Sequence, residues 1–594
     1  MSDAGERSLS ARAWLAAAAL ALLAACAPAS APAQARPAAA GVPLPSAAPA
    51  SEPAATTLGA VPPSGPYAPG WDVLHYDVEI ALPEGAGWIA GRTTVRAART
   101  TAAVASLPLD LIGLAVTGIR VGGSGVQFTH ANGKVTVPVG MGRVGDTVEV
   151  EVTYAGTPDD GLVIGKTVGG QPSAFADNWP DRARYWFPSI DHPADKATVA
   201  FTVHAPAAWQ VVSNGVMTGA PVATPAAVGG AAGARRTWRW RTDVAIPTYT
   251  MVIGATALAA DTVGTAACGQ APRSPRADRC VAVTTWLYPE DRQKGAASFR
   301  RAALMLDLFA HWIGPFPYEK LAHVQSSTRY GGMENVAAIF YDEKAIAQGR
   351  DIESTVAHET AHQWFGDSVT EADWRHLWLS EGFATYFAAL FYQWTDGEAA
   401  FRREMDDARA IYLRSEIAAR PVIDPQAADL FGLLNANNYQ KGSWILHMLR
   451  GVVGDSAFHA GIRSYYASHR DATALTADIQ AAMEHASGRE LGWFFEQWLT
   501  RPGYPMLRVT RHWDPAAREV VVDVEQTQPA GWPRFRIPTT LLVRGPWGER
   551  RQAIELTGTR TTVRVAEPAE ADTAIVDPDG WVLAVGDPAG SGVR

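Results

Sequence analysis

Cysteine is scarce in this sequence, which has three cysteines in 594 residues. Cys268 and Cys280 have no histidine nearby that would complete a metal site, so metal binding by this pair is disfavoured. The sequence also lacks any stripe of clustered lysine and arginine, and its formal net charge is -9. Because neutralising phosphates requires such clusters, these absences argue against a nucleic-acid-binding protein.

The composition that is present is typical of a globular protein. Apolar residues make up 47% of the chain and charged residues 19%, and no internal repeat is visible. A chain of this length exceeds what one hydrophobic core supports, so we expect about three or four domains.

Residues 1–26 resemble a lipoprotein-type signal peptide. Arg7 and Arg12 precede an apolar run over 14–22, which is too short to anchor stably across a bilayer. The run ends in Leu-Ala-Ala-Cys at 23–26, which resembles a bacterial lipobox and makes Cys26 the candidate for lipidation. The alternative is an ordinary secretory peptide with an incidental cysteine.

The residues after Cys26 predict where such a protein would be held. Ala27, not Asp, follows the cysteine, so the resemblance implies the outer membrane, on the side that faces the periplasm. Residues 27–67 consist mainly of Ala, Pro and Ser, which predicts a flexible or polyproline-like tether. We therefore expect an exported cell-envelope lipoprotein that contacts the membrane through its N-terminal lipid.

Export would also place the two remaining cysteines in an oxidising compartment. There, Cys268 and Cys280 can close a short loop as a disulfide bond. Two free buried thiols are the alternative, which the polar residues around the pair disfavour.

The pattern of apolar residues changes twice along the chain. Short alternating runs broken by Gly, Pro and Asp, from about 70 to 262, predict an all-β region. From about 290 to 500, apolar positions recur every three or four residues, which predicts helices, with short strands before Gly331. Alternation returns from Tyr504 to about 585, so we expect a small β-sandwich at the end.

The helical region contains the motif His358-Glu359-Thr360-Ala361-His362. Residues four apart share one face of a helix, so both imidazoles can bind one zinc ion, with Glu359 beside it. The predicted start and stop signals of this helix are two possible N-caps and a glycine: Asp351, Ser354 and Gly366.

A catalytic zinc ion needs a third protein ligand, which this motif does not supply. Glu381 follows nineteen positions after His362, within a strongly apolar segment. An ordinary surface glutamate is the alternative, but a carboxylate in apolar surroundings needs a partner. We predict that zinc is that partner.

Several motifs together resemble the aminopeptidase N family of gluzincin zinc metallopeptidases, which includes alanyl aminopeptidase and leukotriene hydrolase. The resemblance covers nearly all of residues 70 to 585. The motifs that carry it are Gly331-Gly332-Met333-Glu334-Asn335, 358–366 (His-Glu-Thr-Ala-His-Gln-Trp-Phe-Gly), 377–384 (Leu-Trp-Leu-Ser-Glu-Gly-Phe-Ala) and Tyr439-Gln440-Lys441-Gly442.

The resemblance implies a multidomain α+β fold and one zinc ion per chain. An N-terminal all-β, saddle-like domain would span 68–285, a thermolysin-like, mainly helical catalytic domain 286–502, and a C-terminal β-sandwich 503–594. The large helical C-terminal domain of many members is absent, so we expect a more open cleft. The implied activity is that of an aminopeptidase that hydrolyses peptides with a free N-terminus; the sequence does not give the oligomeric state.

The resemblance also implies a role for individual residues. The zinc ligands would be His358, His362 and Glu381, and Glu359 would be the general base on water. Tyr439 would donate a hydrogen bond to the oxyanion, and Glu334 would bind the substrate's α-ammonium group while the strand 331–335 aligns the peptide.

The chain departs from the family pattern in the N-terminal domain. The family supplies there a second amine-binding residue, Gln or Glu, and ungapped counting places Trp179 at that position. Asp177 or Asn178 could substitute through a shifted loop, and the sequence does not decide between them.

Three further departures lie around the zinc motif. Asp367 and Ser380 stand where members commonly have Asn, and neither change removes a metal ligand. Ala388 stands where some members place an acid that orients a zinc-bound histidine, so we expect another group to hold that histidine. Competing hypotheses are an endopeptidase, an epoxide hydrolase and a catalytically inactive binding lipoprotein.

Overall fold

The structure is a computed structural model that describes residues 70–83, 87–225, 234–427 and 429–586. The predicted signal peptide, the lipidation candidate Cys26 and the tether to residue 67 lie outside the described residues. None of the helices within these ranges is both long and apolar enough to cross a bilayer.

The N-terminal region is built from strands, as the alternation of apolar residues predicts. Its strands are β1 (Trp71–Ala81), β2 (Ile89–Arg99), β3 (Ser106–Asp110), β4 (Ala115–Val121), β5 (Ser124–Gly125), β6 (Thr129–Ala131), β7 (Lys134–Pro138), β8 (Thr147–Gly156), β9 (Leu162–Lys166), β10 (Pro172–Ala176), β11 (Lys196–Pro206), β12 (Gln210–Ser213), β13 (Val216–Met217), β14 (Val222–Ala223), β15 (Arg235–Pro247) and β16 (Ile253–Thr256).

These strands form three sheets. The largest has the order β13-β15-β11-β1-β2-β8-β4-β5, with β14 on β15. A second sheet has the order β12-β16-β10-β9 and a third β3-β7-β6. The pairing is antiparallel except between β1 and β11. Val95 and Ala97 of β2 are buried while Arg96 between them is exposed, which is the period-two pattern of a sheet covered on one side.

A five-stranded mixed sheet leads into the helical region. Its strands are β17 (Ala259–Ala266), β18 (Val281–Leu287), β19 (Leu321–Ser326), β20 (Gly332–Met333) and β21 (Ala338–Asp342), in the order β17-β18-β19-β21-β20. The boundary expected at 285/286 falls inside β18, and the sheet assigns 259–287 to the helical region. Alternation shows that a segment is a strand but does not show which sheet it joins.

Ten α-helices and a two-stranded parallel pair follow within the described residues. They are α1 (Arg292–Phe299), α2 (Ala302–Trp312), α3 (Glu343–Ala347), α4 (Glu353–His362), β22 (Val369–Glu371), α5 (Trp378–Asp396), α6 (Glu398–Leu413), α7 (Gly442–Val453), α8 (Asp455–His469), β23 (Ala472–Ala474), α9 (Thr476–Ser487) and α10 (Gly492–Phe495). Two π-helical turns, Asn437–Lys441 and Glu496–Thr500, precede α7 and follow α10.

Two small sheets close the described chain, as the second return of alternation predicts. Their strands are β24 (Met506–Asp514), β25 (Glu519–Gln526), β26 (Ile537–Gly545), β27 (Gly548–Leu556), β28 (Arg560–Ala566), β29 (Thr573–Val576) and β30 (Val585–Gly586). The sheet orders are β28-β25-β24-β30 and β27-β26-β29. The multidomain α+β architecture expected from the sequence is therefore confirmed.

Close packing of two glycines fixes the crossing of α5 and α7. A β-carbon at Gly382 would lie 2.8 Å from the Cα atom of Gly442, so neither position has room for a side chain. Gly382 follows Glu381, and Gly442 follows the π-helical turn that carries Tyr439. The close approach therefore brings these two side chains to one place.

Candidate metal centre

Helix α4 presents His358, Glu359 and His362 as the spacing predicts. The helix begins at Glu353, whose N–H donates to the Asp351 carboxylate at 3.0 Å, while Ser354 lies inside the first turn. It ends at His362, and Gly366 lies beyond the end with a φ of +106°. The N-cap residue is Ile352, which makes no side-chain capping hydrogen bond, so neither of the two predicted N-caps, Asp351 and Ser354, occupies that position.

The first turn of α5 adds Glu381 to the two histidines. The Nε2 atoms of His358 and His362 lie 3.0 Å apart, and each lies 3.3 Å from Glu381 Oε2. All three side chains are largely buried. The structure thus brings together the three residues for which the sequence predicts metal binding.

The geometry of this triad fits a zinc ion. Tetrahedral zinc with bonds of about 2.0 to 2.1 Å holds its ligand atoms about 3.3 Å apart, close to the separations observed here. Two nitrogen atoms and one carboxylate oxygen are also the donor set of many catalytic zinc sites, which leave a fourth position open. These residues would therefore hold one zinc ion.

The distal nitrogen of each histidine has a partner that orients the ring. His362 Nδ1 lies 3.0 Å from the Phe365 carbonyl oxygen and 3.0 Å from Ser380 Oγ. His358 Nδ1 lies 3.5 Å from Thr385 Oγ1, one helical turn after Glu381. Both contacts direct Nε2 toward the triad. Ala388 stands where some family members have an acid that orients a zinc-bound histidine, and here Thr385 contacts His358 instead. Thr385 lies one helical turn after Glu381, and this spacing is the sequence signal that identifies it.

The charges of the triad act strongly on one another. Burial lowers the pKa of His358, although Glu381 opposes this. Burial also disfavours charge on His362, but Glu334 and Glu381 outweigh it and raise the pKa of His362 well above its ordinary value. Although burial alone would raise it, the two histidines lower the pKa of Glu381 to about 2.

Two further carboxylates face the triad. Burial raises the pKa of Glu334 to about 7, with His362 opposing and Glu381 adding to the rise. Burial also raises the pKa of Glu359 well above its ordinary value. Within the described part of the chain, no lysine or arginine pairs with Glu334, Glu359 or Glu381. This surplus of acidic groups is suited to a bound cation.

The glycine-rich strand runs directly beside Glu359. β20 pairs antiparallel with β21 and is the last strand on its side of the mixed sheet. A β-carbon at Gly332 would overlap the Glu359 carboxylate, whereas one at Gly331 would meet no atom within 4 Å. Glycine at 332 therefore lets the carboxylate lie against the strand, and an extended peptide could pair along the edge.

Gln363 ties this strand to α4. Its side-chain amide donates to the Glu334 carbonyl at 3.0 Å and to Asp367 Oδ2 at 2.7 Å, while its oxygen accepts the N–H of Ala337 at 2.8 Å. Met333 and Asn335 of the same motif are buried. The Asp367 departure thus keeps a structural contact and contributes no metal ligand.

Tyr439 reaches the triad from the π-helical turn. Its hydroxyl donates to Glu381 Oε1 at 2.7 Å, and its ring lies parallel to that of His358 with the centroids 5.9 Å apart. The buried Lys441 Nζ donates to the Gly503 carbonyl at 3.2 Å, which holds the turn against the start of the C-terminal sheets. The predicted oxyanion donor therefore lies within the site.

Ungapped counting along the sequence places Trp179 where the second amine-binding residue is expected, and the structure shows what its two polar neighbours contact. Asp177 Oδ1 accepts from Arg182 at 2.9 Å and Oδ2 from Arg329 at 3.0 Å. The Asn178 amide donates to the carbonyls of two residues, at 3.1 and 2.6 Å, and its oxygen accepts from Trp186 at 2.8 Å. Both polar candidates are therefore occupied by structural contacts.

Cys268 and Cys280 form a disulfide bond, as one of the two sequence hypotheses predicts. The loop that it closes contacts the catalytic region, because Arg273 donates to the Pro317 carbonyl at 2.8 Å and pairs with Asp471 at 2.7 Å.

Family models match two long segments of the chain. The model of the peptidase family M1 domain matches residues 299–498, which include every residue of the triad. The model of the peptidase M1 N-terminal domain matches residues 76–250.

Individual relatives agree with these matches. Leucyl aminopeptidase of Saccharolobus solfataricus is 25% identical over 74% of this chain and 54% of its own length. Tricorn protease-interacting factor F2 of Thermoplasma acidophilum is 27% identical over 68% of this chain and 50% of its own length. This chain spans about half the length of the curated relatives that it matches.

Solved structures include a neighbour of comparable extent. The M1 zinc metallopeptidase of Deinococcus radiodurans matches with a TM-score of 0.63 and 26% identity, over 74% of this chain and 96% of that one. A variant of that enzyme has been solved with the substrate Tyr-Ser-Ala, with a TM-score of 0.62 and 26% identity over the same shares of the two chains.

Proposed function

Because this chain belongs to peptidase family M1, we propose that it is a zinc-dependent aminopeptidase that hydrolyses residues from the free N-termini of peptides. The observation that carries this proposal is the convergence of His358, His362 and Glu381 beside Glu334 and Glu359. The leucyl aminopeptidase relative and the Tyr-Ser-Ala complex of the Deinococcus neighbour support it.

His358, His362 and Glu381 would hold a zinc ion, which would supply Lewis-acid activation of water and of a carbonyl oxygen. Glu359 is the residue that takes the proton from the attacking water and passes it to the leaving amine. Contact with Gly332 keeps it next to the peptide.

Tyr439 stabilises the negative charge that develops on the peptide oxygen. Its hydroxyl donates to the Glu381 carboxylate and therefore lies directly beside the predicted metal ligands. A positioned donor of this kind contributes about 3 to 4 kcal/mol to catalysis of acyl transfer.

Glu334 explains why the enzyme acts at the N-terminus. Its carboxylate lies with Glu359 and His362 in one cluster at the end of the open strand edge. A peptide that pairs along β20 would place its α-ammonium group against this buried acid, with which no lysine or arginine of the described residues pairs. An internal peptide bond brings no such charge, so endopeptidase activity is disfavoured.

Free and blocked substrates test the proposal. The full chain is assayed with leucyl and tyrosyl aminomethylcoumarin amides and with their N-acetylated forms, and Glu359→Gln is the control. We expect turnover of the free forms only, and loss of turnover in the variant. Equal cleavage of acetylated substrates would refute the assignment of Glu334, and absence of turnover on every substrate would refute the function.

We also propose that the enzyme is an exported lipoprotein whose lipidated Cys26 attaches it to the periplasmic face of the outer membrane. The lipobox-like sequence at 23–26 supports this, as does the disulfide bond between Cys268 and Cys280. The full-length chain should incorporate labelled palmitate and sediment with membranes, and Cys26→Ala should abolish both. Membrane sedimentation of that variant without label would contradict lipid anchoring.

A further inference from the structure

Two loops lie side by side in the N-terminal region, residues 100–105 after β2 and residues 139–146 after β7. Arg99, the last residue of β2, holds them together. Its buried guanidinium group donates to the Gly140 carbonyl at 2.6 Å and also to the Val104 carbonyl. Because one side chain binds the backbone of both loops, they form a single surface, which we call the entry surface.

The first described residue of the chain lies against this surface. The Gly70 carbonyl accepts the N–H of Thr100 at 3.0 Å. A β-carbon at Gly70 would lie 2.7 Å from methyl carbons of both Thr101 and Val104, so the backbone there directly contacts the loop. The tether that the sequence predicts after Cys26 therefore reaches the folded part of the protein at the entry surface.

The entry surface carries the two most exposed large apolar side chains of the described residues. Met141 is 71% exposed and Val144 is 65% exposed, and they lie three positions apart on one loop. On the other loop, Ala102, Ala103 and Ala105 are exposed as well. Single exposed apolar residues need no explanation, whereas exposed apolar residues that lie together mark interaction sites. The surface is therefore suited to an apolar partner.

The charge of the entry surface is balanced. Its two loops contain one basic and one acidic residue, Arg143 and Asp146, and the Arg143 N–H donates to Asp146 Oδ2 at 2.7 Å. No basic cluster that would select anionic lipids is present in these two loops. Contact with a bilayer would therefore depend on apolar insertion and not on the charge of the lipid.

We propose that the entry surface docks on the phospholipid bilayer to which Cys26 attaches the chain, with Met141 and Val144 inserted among the headgroups. The bilayer is the apolar phase that the tether brings to this surface. A tethered contact is intramolecular, so even two apolar side chains suffice to populate it. This inference rests on the proposed lipid attachment and adds a second membrane contact that orients the enzyme.

A fluorescent probe on the lipidated full-length chain tests the docking. Cys268 and Cys280 are paired, so Met141→Cys supplies the free thiol that is labelled with an environment-sensitive nitrobenzoxadiazole dye. On vesicles of phosphatidylethanolamine and phosphatidylglycerol, we expect blue-shifted emission and quenching by spin-labelled lipids. Phosphatidylcholine vesicles should give the same result, because the entry surface has no net charge.

Trp88→Cys with the same label is the matched control. Trp88 is 61% exposed, and it directly precedes β2, whose eleven residues separate it from Arg99 by roughly 35 Å. A label at this end of the strand should remain in water. Equal quenching at positions 88 and 141 would show that the dye itself inserts, and it would overturn the inference.

A double variant shows whether the two apolar side chains hold the contact. The label is placed at Ala103→Cys, and Met141→Ser is combined with Val144→Ser. Since each buried methylene contributes a factor of about four to a partition equilibrium, we expect the lipid quenching of this label to fall about tenfold. Unchanged quenching would mean that the tether alone sets the position of the surface, which would overturn the inference.

Sedimentation with the vesicles separates the two proposals. A chain that sediments while its label at position 141 remains in water would overturn the docking and leave the lipid attachment intact. A chain that does not sediment would remove the lipid attachment and the docking with it. A blue shift that grows with protein concentration in the absence of vesicles would show contact between two copies, and it would also overturn the inference.

Discussion

Two groups of charges in the described part of the molecule differ in how their charge is balanced. Around Arg182, two carboxylates and two guanidinium groups neutralise one another through direct ion pairs. Around the metal centre, Glu334, Glu359 and Glu381 have no lysine or arginine partner within the described residues. The first group is complete without a ligand, and the second is not.

The difference has an energetic meaning. Burying an unpaired carboxylate costs several kcal/mol, so an arrangement of this kind is retained where a ligand supplies the missing positive charge. Zinc at the triad and an ammonium group at Glu334 would together supply it. The paired group, in contrast, serves to hold the Trp179 loop in place.

The comparison predicts its largest effect for Glu359→Gln. Loss of a general base typically lowers rates by about 10² to 10⁴, or roughly 3 to 5 kcal/mol of barrier. The free energy of unfolding should not fall, because the change removes one acid from a surplus. Aminoacyl turnover measures the rate, urea titration measures the free energy of unfolding, and mass spectrometry measures the metal content. A variant that is active but less stable than the parent chain would contradict the comparison.

Asp177→Asn should show the opposite behaviour. Removing one partner of a buried ion pair costs about 3 kcal/mol of stability, because Arg182 and Arg329 then share a single carboxylate. Activity per folded molecule should change far less than in Glu359→Gln. The matched control is Glu549→Gln, whose pair with Arg544 is half exposed and should contribute no more than about 1 kcal/mol. Similar losses of stability in Asp177→Asn and Glu549→Gln would mean that burial does not strengthen the ion pairs around Arg182.

The sequence alone could predict the metal centre because helical spacing dictates it. His358 and His362 share a helix face by periodicity, and the apolar surroundings of Glu381 demanded a partner. Thr385 and Ser380 were harder to identify, because hydroxyl side chains carry no strong metal signal. Their contacts with the histidines depend on how α4 and α5 cross.

Other features depend on tertiary packing that local patterns do not specify. The contact between Gly382 and Gly442 joins residues sixty positions apart, and no helical or strand period relates them. The assignment of β17 and β18 to the mixed sheet depends likewise on pairing partners. Next to Trp179, only the structure shows that the polar groups of Asp177 and Asn178 are both occupied by structural contacts.

Gly442→Ala should have an effect of intermediate size. It tests whether catalysis at the acidic site requires Tyr439 to be held in one position. An added methyl group at the crossing of α5 and α7 should cost about 1 to 3 kcal/mol through overpacking. It should also lower kcat more than KM, since Tyr439 moves relative to Glu381. Gly492→Ala, at the start of α10, where an added β-carbon would meet only the Gln480 side chain at 3.6 Å, controls for the loss of a helical glycine. Unchanged kcat in Gly442→Ala would show that the crossing does not position Tyr439.

Asp195 tests the comparison from outside both groups and should have the smallest effect. It is buried, Oδ2 accepts the N–H of Val73 at 3.3 Å, and Oδ1 has no hydrogen-bond partner within the described residues. Burial raises the pKa of this carboxyl well above its ordinary value, with Asp72 adding to the rise. The folded state therefore binds a proton that the unfolded state releases above about pH 4.

The stability contributed by this proton is fully present below about pH 4 and is lost as the pH rises through the folded-state pKa. Asp195→Asn removes the titration, so at pH 7 the variant should be more stable than the parent chain by about 1 kcal/mol. The difference should vanish near pH 4, which urea titrations of both proteins across this range would measure. A variant less stable than the parent at pH 7 would mean that Asp195 is held as an anion. Asp195 would then be an unpaired buried carboxylate away from the metal centre. The lack of lysine and arginine partners would therefore no longer distinguish the metal centre as a site that binds a cation.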